Sequence, residues 1–329
     1  MAAALKFVGL DVGGTTMKAA VVDDYGLAGP SVSLPTEAHR GADVGLETMC
    51  ETIRRAVAAS RLTMTDVAGI GVATPGLMDI KLGIILDPPN LKPWRNVEIP
   101  QHIRKVFHKP VAFQNDANAA ALGEHWVGAG KGAPSLVLFT LGTGVGGGII
   151  VDGRVLEGEH SHGGELGHLR IDLPDRGRLC GCGRRGCLEA YASATAVVDR
   201  AREDQAGYRG PTRLREMLAA DDVSGVSAKD VFDVAAQGDL LAQKVVEDTA
   251  YYLALGACAV MATVDPEMIV FGGGMTAAGD SFLAKIREYA LRFGLAYPAS
   301  KVQIRFAQLG SDAGFIGAAA CARQLVKQG

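Results

Sequence analysis

The chain has 329 residues and a formal net charge of −3, enough length for two domains with a sizeable core. That charge argues against nucleic acid as a partner. No basic segment leads into a long apolar run, and no stretch reads as membrane-spanning, so a cytoplasmic protein with no membrane partner is expected. Six cysteines fit a reducing compartment. Glycine is the outlier, with 43 residues, nearly twice the usual share of ~7%. These glycines cluster in loops, as expected where backbone approaches a ligand.

Residues 5–10 read as an apolar strand, Asp11-Val12-Gly13-Gly14-Thr15-Thr16 as a turn, and 17–22 as a returning strand. Backbone N–H groups in such a turn form an anion cradle, and Asp11 at the strand end is placed to hold Mg²⁺ through water. A glycine turn can equally do no more than connect strands, and the Walker pattern is absent. Residues 44–59 carry Leu46, Met49, Ile53 and Val57 at helical spacing. A buried strand over 67–73 ends at Thr74-Pro75-Gly76. Another, over 111–114, ends at Asn115-Asp116, and 117–126 then reads as helix. A carboxylate between strand and helix is rigidly placed. Asp116 is therefore the candidate general base of a kinase acting on an alcohol, with an ordinary helix N-cap as the plainer alternative.

Roughly 130 residues on, the first pattern recurs. Residues 135–141 read as a strand, Gly142-Thr143-Gly144-Val145-Gly146-Gly147-Gly148 as a turn, and 149–151 as a strand. Gly142, Gly144 and Gly147 formally satisfy a dinucleotide fingerprint, but that motif must open a helix, and here a strand follows. A second phosphate loop fits better. Two such units suggest two related halves offering loops to one ligand, although glycine hairpins are also common by chance.

Glu165-Leu166-Gly167-His168 precedes a segment with Cys180, Cys182 and Cys187, three cysteines within eight residues. With His168 they make a closed tetrahedral set for a structural Zn²⁺, leaving no position for water. Cys180 and Cys182 are too close to pair comfortably with each other. A staple without metal is the alternative. Glu165 and Glu189 bracket the set and, with Asn115 and His168, are candidates to bind the hydroxyls of a polar, hydroxyl-rich molecule. Helices are expected over 190–205, 229–237 and 239 to about 263, with 204–227 a polar, irregular surface excursion. A strand over 268–271 enters Gly272-Gly273-Gly274, a third loop for a base or ribose, or a plain turn. A helix over 311–327 closes the chain. Strands alternating with helices point to an α/β architecture.

Together these motifs resemble the ROK family of sugar kinases and repressors. The likeness runs through Asp11 to Thr15, Thr74-Pro75-Gly76, Pro89-Asn90-Leu91 with Trp94, Asn115-Asp116-Ala117-Asn118, Gly142 to Gly148, Glu165 to His168, Cys180 to Glu189, and Asp265-Pro266 leading to Gly272. The resemblance implies an actin-like ATPase (ribonuclease H-like) fold, with two α/β domains and an interdomain cleft. The expected domains are 1–117 with 312–329, and 118–311. It implies ATP, Mg²⁺ and structural Zn²⁺, often in a homodimer. It implies Asp116 as base, with Gly76, Asn90, Asn115, Gly144, Glu165, His168 and Glu189 around the sugar. The nucleotide would meet Asp11, Gly13, Gly14, Thr15, Thr16, Lys18, Thr143, Gly144, Gly146, Gly272, Gly273 and Gly274.

Residues 89–94 resemble the glucokinase form of the family, and Leu77 stands where N-acetylmannosamine kinases tend to carry arginine. The 168–180 loop is about two residues longer than usual for the family, and 204–227 looks inserted. The expected reaction is phosphorylation of glucose at its 6-hydroxyl. Mannose, fructose, allose and N-acetylmannosamine are rival acceptors, and polyphosphate is a rival donor. From another class, the rival is a sugar-sensing repressor. Those carry a helix-turn-helix ahead of the first loop, and with Asp11 at position 11 none is expected here.

Overall fold

The computed structural model describes residues 4–218 and 225–328. The chain forms two compact units: Met1–Pro134, Gly148–Gly164 and Gln308–Gly329 make the first, Ser135–Gly147 and Glu165–Ala307 the second. The expected switch at 117/118 lies inside a helix, Asp116–Val127, and the compact units change over after Pro134, seven residues beyond that helix.

In the first unit β1 (Lys6–Val12) pairs antiparallel with β2 (Thr16–Asp23), which pairs antiparallel with β3 (Val32–Pro35). Helix α1 (Ala42–Ala59) follows, then β4 (Gly69–Thr74), parallel to β1. A small hairpin of β5 (Met78–Asp79) and β6 (Ile84–Ile85) leads to α2 (Ile99–Phe107) and to β7 (Val111–Asn115), parallel to β4. β1 and β4 are buried almost throughout because helices cover both sheet faces. On one face Leu46, Met49, Ile53 and Val57 of α1 join Leu10, Val12 and Met17 in the core. On the other, the closing helix (Ala313–Gln328) brings Phe315, Ala319 and Ala322 against Phe7, Ala20 and Val22. That helix lies on the backbone itself: a Cβ at Gly9 would sit 1.8 Å from Phe315 O, and one at Gly71 1.7 Å from Ala318 O. Only glycine fits there.

Register sets the functional edge. Asp11 pairs with Ala73, and Thr74 with Asn115. The three parallel strands thus end together, where α3 (Asp116–Val127) begins. The carboxyl ends of parallel strands are the usual place for ligands in α/β sheets.

The second sheet has the order β10-β9-β8-β11-β12, and the first β3-β2-β1-β4-β7, so each leads with a glycine-turn hairpin. Here β8 (Ser135–Leu141), β9 (Val145–Val151) and β10 (Arg154–Val155) are consecutive. The turn between β8 and β9 is only Gly142 to Gly144. Gly146 to Gly148, expected in the turn, are strand, and a Cβ on Gly148 would lie 2.8 Å from Ala117 O. These later glycines serve the strand and its packing.

The expected helix over 190–205 is two, α4 (Glu189–Ala192) and α5 (Ala194–Gly207), parted at Ser193, whose hydroxyl accepts from Ala196 N. Within the expected excursion α6 (Leu214–Leu218) buries both its leucines, and 219–224 lie outside the described residues. There follow α7 (Ala228–Ala236), α8 (Leu240–Val264), β11 (Met268–Gly272), α9 (Asp280–Phe293), α10 (Ala296–Lys301) and β12 (Gln303–Phe306). Contrary to expectation, α8 is long and apolar enough to cross a membrane by length and composition. Half of its most apolar window is buried inside the protein, with Leu241, Val245, Leu253, Ala257 and Met261 inward. It is a core helix of the second unit.

Candidate active site

In the first unit the glycine turn after β1 is exposed at Gly14, Thr15 and Thr16 and held from beneath. Thr36 donates from Oγ1 to Gly13 O at 2.7 Å and from its backbone N to Thr15 O at 2.9 Å. Asn90 lies against this turn, since a Cβ on Gly14 would be 3.0 Å from Asn90 O. Its neighbours explain why: Leu91 and Trp94 are fully buried anchors, the indole donating to Ala38 O, while Asn90 between the turn and Leu91 stays exposed. Gly76, with φ +97°, packs on Pro88, within the same unit as Asn90.

At the adjoining strand ends Asn115 is the N-cap of α3. Its Oδ1 accepts from Ala117 N at 2.9 Å and from Asn118 N at 3.2 Å. Asp116 is the first residue of the helix, with Oδ1 2.8 Å from Ala117 N. The plainer role foreseen for Asp116 therefore belongs to its neighbour. Asp11 is partly buried, and burial first, then the Asp116 charge, raises its carboxyl pKa to about 7 against the pull of Lys18. Its carboxylate touches the start of the closing helix, where a Cβ on Gly314 would lie 2.2 Å from Oδ2. Lys18 pairs with Asp312 at 2.6 Å. A partly buried carboxylate that another carboxylate repels, as Asp11 is by Asp116, is suited to a cation such as Mg²⁺. Thr74 Oγ1 and Asn118 Oδ1 are buried there without a hydrogen-bond partner among the described residues.

In the second unit the other glycine turn is tied to the cysteine segment. Gly142 O accepts from Ala194 N, and Thr143 O from Thr195 Oγ1. Glu189 is central: Oε2 accepts from Val145 N at 3.0 Å, and Oε1 accepts from Cys180 Sγ at 3.4 Å. A Cβ on Gly144 would sit 2.4 Å from Glu189 Oε2, so Gly144 lets the carboxylate lie against the turn. Gly167 packs on Val145 O, which seats the Glu165–His168 turn beside the start of β9, with Glu165 and His168 exposed. Gly273, with φ +91°, meets Leu141 at the end of β8. The Gly272 to Gly274 loop and the β8–β9 turn thus share one strand edge.

The ligand atoms of His168, Cys180, Cys182 and Cys187 all lie within 4.8 Å of one another. The Cys182–Cys187 Sγ separation is 3.8 Å. Tetrahedral ligands at the usual Zn–S length stand about 3.8 Å apart, so the set fits zinc. The knuckle is a tight hairpin, Cys180 N donating to Arg184 O and Gly183 N to Cys180 O, with Gly183 and Gly186 at positive φ. Burial pushes the Cys180 thiol up to about 12, and a coordinated cation deprotonates such a thiol outright.

Several residues here had no readable signal. Thr36, Asp312 and Gly314 lie far along the chain from the loops they hold. Gln114 was hidden as a polar residue in an apolar strand.

A family model described as "ROK family" matches residues 7–325. A glucokinase from Halalkalibacterium halodurans is 38% identical, over 94% of this chain and 93% of that one. The crystal structure of a ROK hexokinase from Thermus thermophilus is similar with a TM-score of 0.83 and 34% identity, covering 99% of this chain and all of that one. A ROK family glucokinase from Streptomyces griseus, solved with glucose and AMPPNP, has a TM-score of 0.78 and 33% identity over 97% of this chain and 99% of its own. Mixed sheets led by glycine hairpins and these likenesses together give an actin-like ATPase fold. The chain belongs to the ROK family.

Proposed function

We propose that the protein phosphorylates glucose at the 6-hydroxyl, with ATP as donor. The observation that carries this is the division of labour at the β7–α3 junction. Asn115 caps the helix, and Asp116 stands at the same strand edge as Asp11. Asp116 takes the hydroxyl proton as the sugar oxygen attacks the γ-phosphorus and ADP departs. The glycine turns cradle phosphates, and Asp11 would hold Mg²⁺, which neutralises charge on the transferring group. Asn90 and Asn115 in the first unit, and Glu165, His168 and Glu189 in the second, carry the polar groups suited to the other hydroxyls, and Gly76 and Gly144 let Pro88 and the Glu189 carboxylate pack close beside them. Gly272 to Gly274 face the nucleoside. Zinc on His168, Cys180, Cys182 and Cys187 would fix the Glu189 turn. Relatives named as glucokinases, and a related structure holding glucose and AMPPNP, support the substrate pair. A sensor without catalysis would have no use for Asp11 and Asp116 together. A cytoplasmic homodimer fits this reading.

Asp116→Asn is the direct mutational test. We expect kcat to fall at least about 10²-fold, the low end for loss of a general base, with glucose affinity nearly unchanged. A variant keeping more than about a tenth of wild-type kcat would reassign the base.

A further inference from the structure

A buried polar side chain lies one residue before the Asn115–Asp116 pair. Gln114 is 3% exposed and spends both ends of its amide. Oε1 accepts from Asn115 N at 2.8 Å and from Asn118 Nδ2 at 3.3 Å. Nε2 donates to Glu157 Oε1 at 2.8 Å. The network fixes which end is which, because Asn115 N and Asn118 Nδ2 can only donate, whereas the Glu157 carboxylate can only accept.

Glu157 is itself held. It lies two residues past β10, in a loop closed by Gly163 N donating to Glu157 O at 2.7 Å. A Cβ on Gly163 would sit 2.2 Å from Leu156 O, so the closure needs glycine. The loop is pinned to the β5–β6 hairpin by Ile80 N donating to Ser161 Oγ at 3.0 Å and by Lys81 with Glu159 at 2.9 Å. Gln114 and Glu157 both line a cavity of about 470 Å³ in the first unit. The cavity leaves one side of the pair without close packing, so hydrogen bonds rather than neighbouring bulk fix its position.

We propose that Glu157 and Gln114 are positioning residues for Asn115 and Asp116. Glu157 orients the Gln114 amide, and the amide fixes the peptide N–H of Asn115 and the side chain of Asn118 at the turn into α3. The base is thereby tied to a loop remote in sequence. This inference rests on the kinase reading and adds to it a pair that touches neither sugar nor nucleotide.

Charge exchange tests it. In Gln114→Glu, one oxygen still accepts from Asn115 N, but the other faces the Glu157 carboxylate, and like charges push the turn out of place. We expect kcat to fall at least about tenfold, a displacement effect on positioned groups, with the KM for ATP unchanged. The double variant Gln114→Glu with Glu157→Gln restores a donor opposite an acceptor and should recover to within about threefold of wild type, a coupling expected of contacting pairs. A second signature is pH. Lowering pH protonates one of the facing carboxylates in Gln114→Glu and returns the hydrogen bond, so its kcat relative to wild type should rise as pH falls. A double variant no better than Gln114→Glu, or a single variant as active as wild type, would overturn the pairing. If Gln114→Glu does not fold, Glu157→Ala against Glu157→Gln gives the same contrast: Gln keeps an acceptor and activity, and Ala loses both. Equal activity of the two would overturn it. A wild type unable to phosphorylate any hexose would instead fail the kinase reading.

Discussion

Asp11 shows how the site trades stability for chemistry. Its folded-state pKa is raised from 3.8 to about 7. Between those values the folded protein binds a proton that the unfolded chain has released, so stability falls as pH rises from about 4 to about 7. Above that window the buried carboxylate costs on the order of 2–4 kcal/mol, an upper range set by the shift. Asp11→Asn should therefore melt higher than wild type at pH 8 in metal-free buffer, match it near pH 4, and lose phosphoryl transfer. Equal melting at both pH values would mean that the carboxylate is better solvated than its surroundings indicate. At this scale the sequence was informative where chemistry sits next to its own motif. The motifs singled out Asp11, Asp116 and the cysteines, and the fold brings His168, Cys180, Cys182 and Cys187 together. The helpers were not: Gln114 is adjacent to Asn115-Asp116, but its partner Glu157 is 43 residues away, and no local pattern links them.

Among the elements, the cysteine knuckle and the β8–β9 glycine turn of the second unit are held together by side chains. Three thiols and His168 converge, Cys180 contacts Glu189, and Glu189 holds the β8–β9 turn through Val145 N. The cysteine knuckle, the Glu189 carboxylate and the β8–β9 turn thus lie side by side, Glu189 following Cys187 by two residues and accepting from Val145 N. Protein purified without chelator should carry close to one zinc per chain. Cys182→Ser should lose most of it and weaken glucose binding about tenfold, the lower range for disturbing a metal-supported site. Zinc-free wild type with unchanged glucose affinity would contradict the coupling. Element boundaries were legible where a helical period marks them, as in α1, or a side-chain cap does, as Asn115 for α3 and Asp239 for α8. They slipped where glycine played two parts. Gly146 to Gly148 read as turn because glycine is a turn residue, yet they sit in β9. The short strands β5, β6, β10 and β12 had no distinct pattern to announce them, whereas α9, with Phe282, Leu283, Ile286 and Ala290 at helical spacing, was legible and was missed. The buried leucines of α6 were masked by polar neighbours.

For the molecule as a whole, the repeat of strand, glycine turn and strand foretold two sheets built alike, and the sheet orders bear this out. What local patterns could not show is how the chain shares itself between units. Residues 148–164 belong with the first unit although they include the end of β9 and all of β10, strands of the second sheet, and the closing helix returns to pack on β1 and β4. The contacts of the closing helix span hundreds of residues and are fixed by close approaches at Gly9 and Gly71. The central claim is that this assembly transfers the γ-phosphoryl group of ATP to the 6-hydroxyl of glucose. The most direct test is steady-state kinetics of the purified wild type with Mg-ATP against glucose, mannose, fructose, allose and N-acetylmannosamine, with polyphosphate as a second donor. The account predicts glucose 6-phosphate as product, the highest kcat/KM for glucose, and ATP preferred over polyphosphate. Another sugar with a higher kcat/KM, or no transfer to glucose at all, would contradict it.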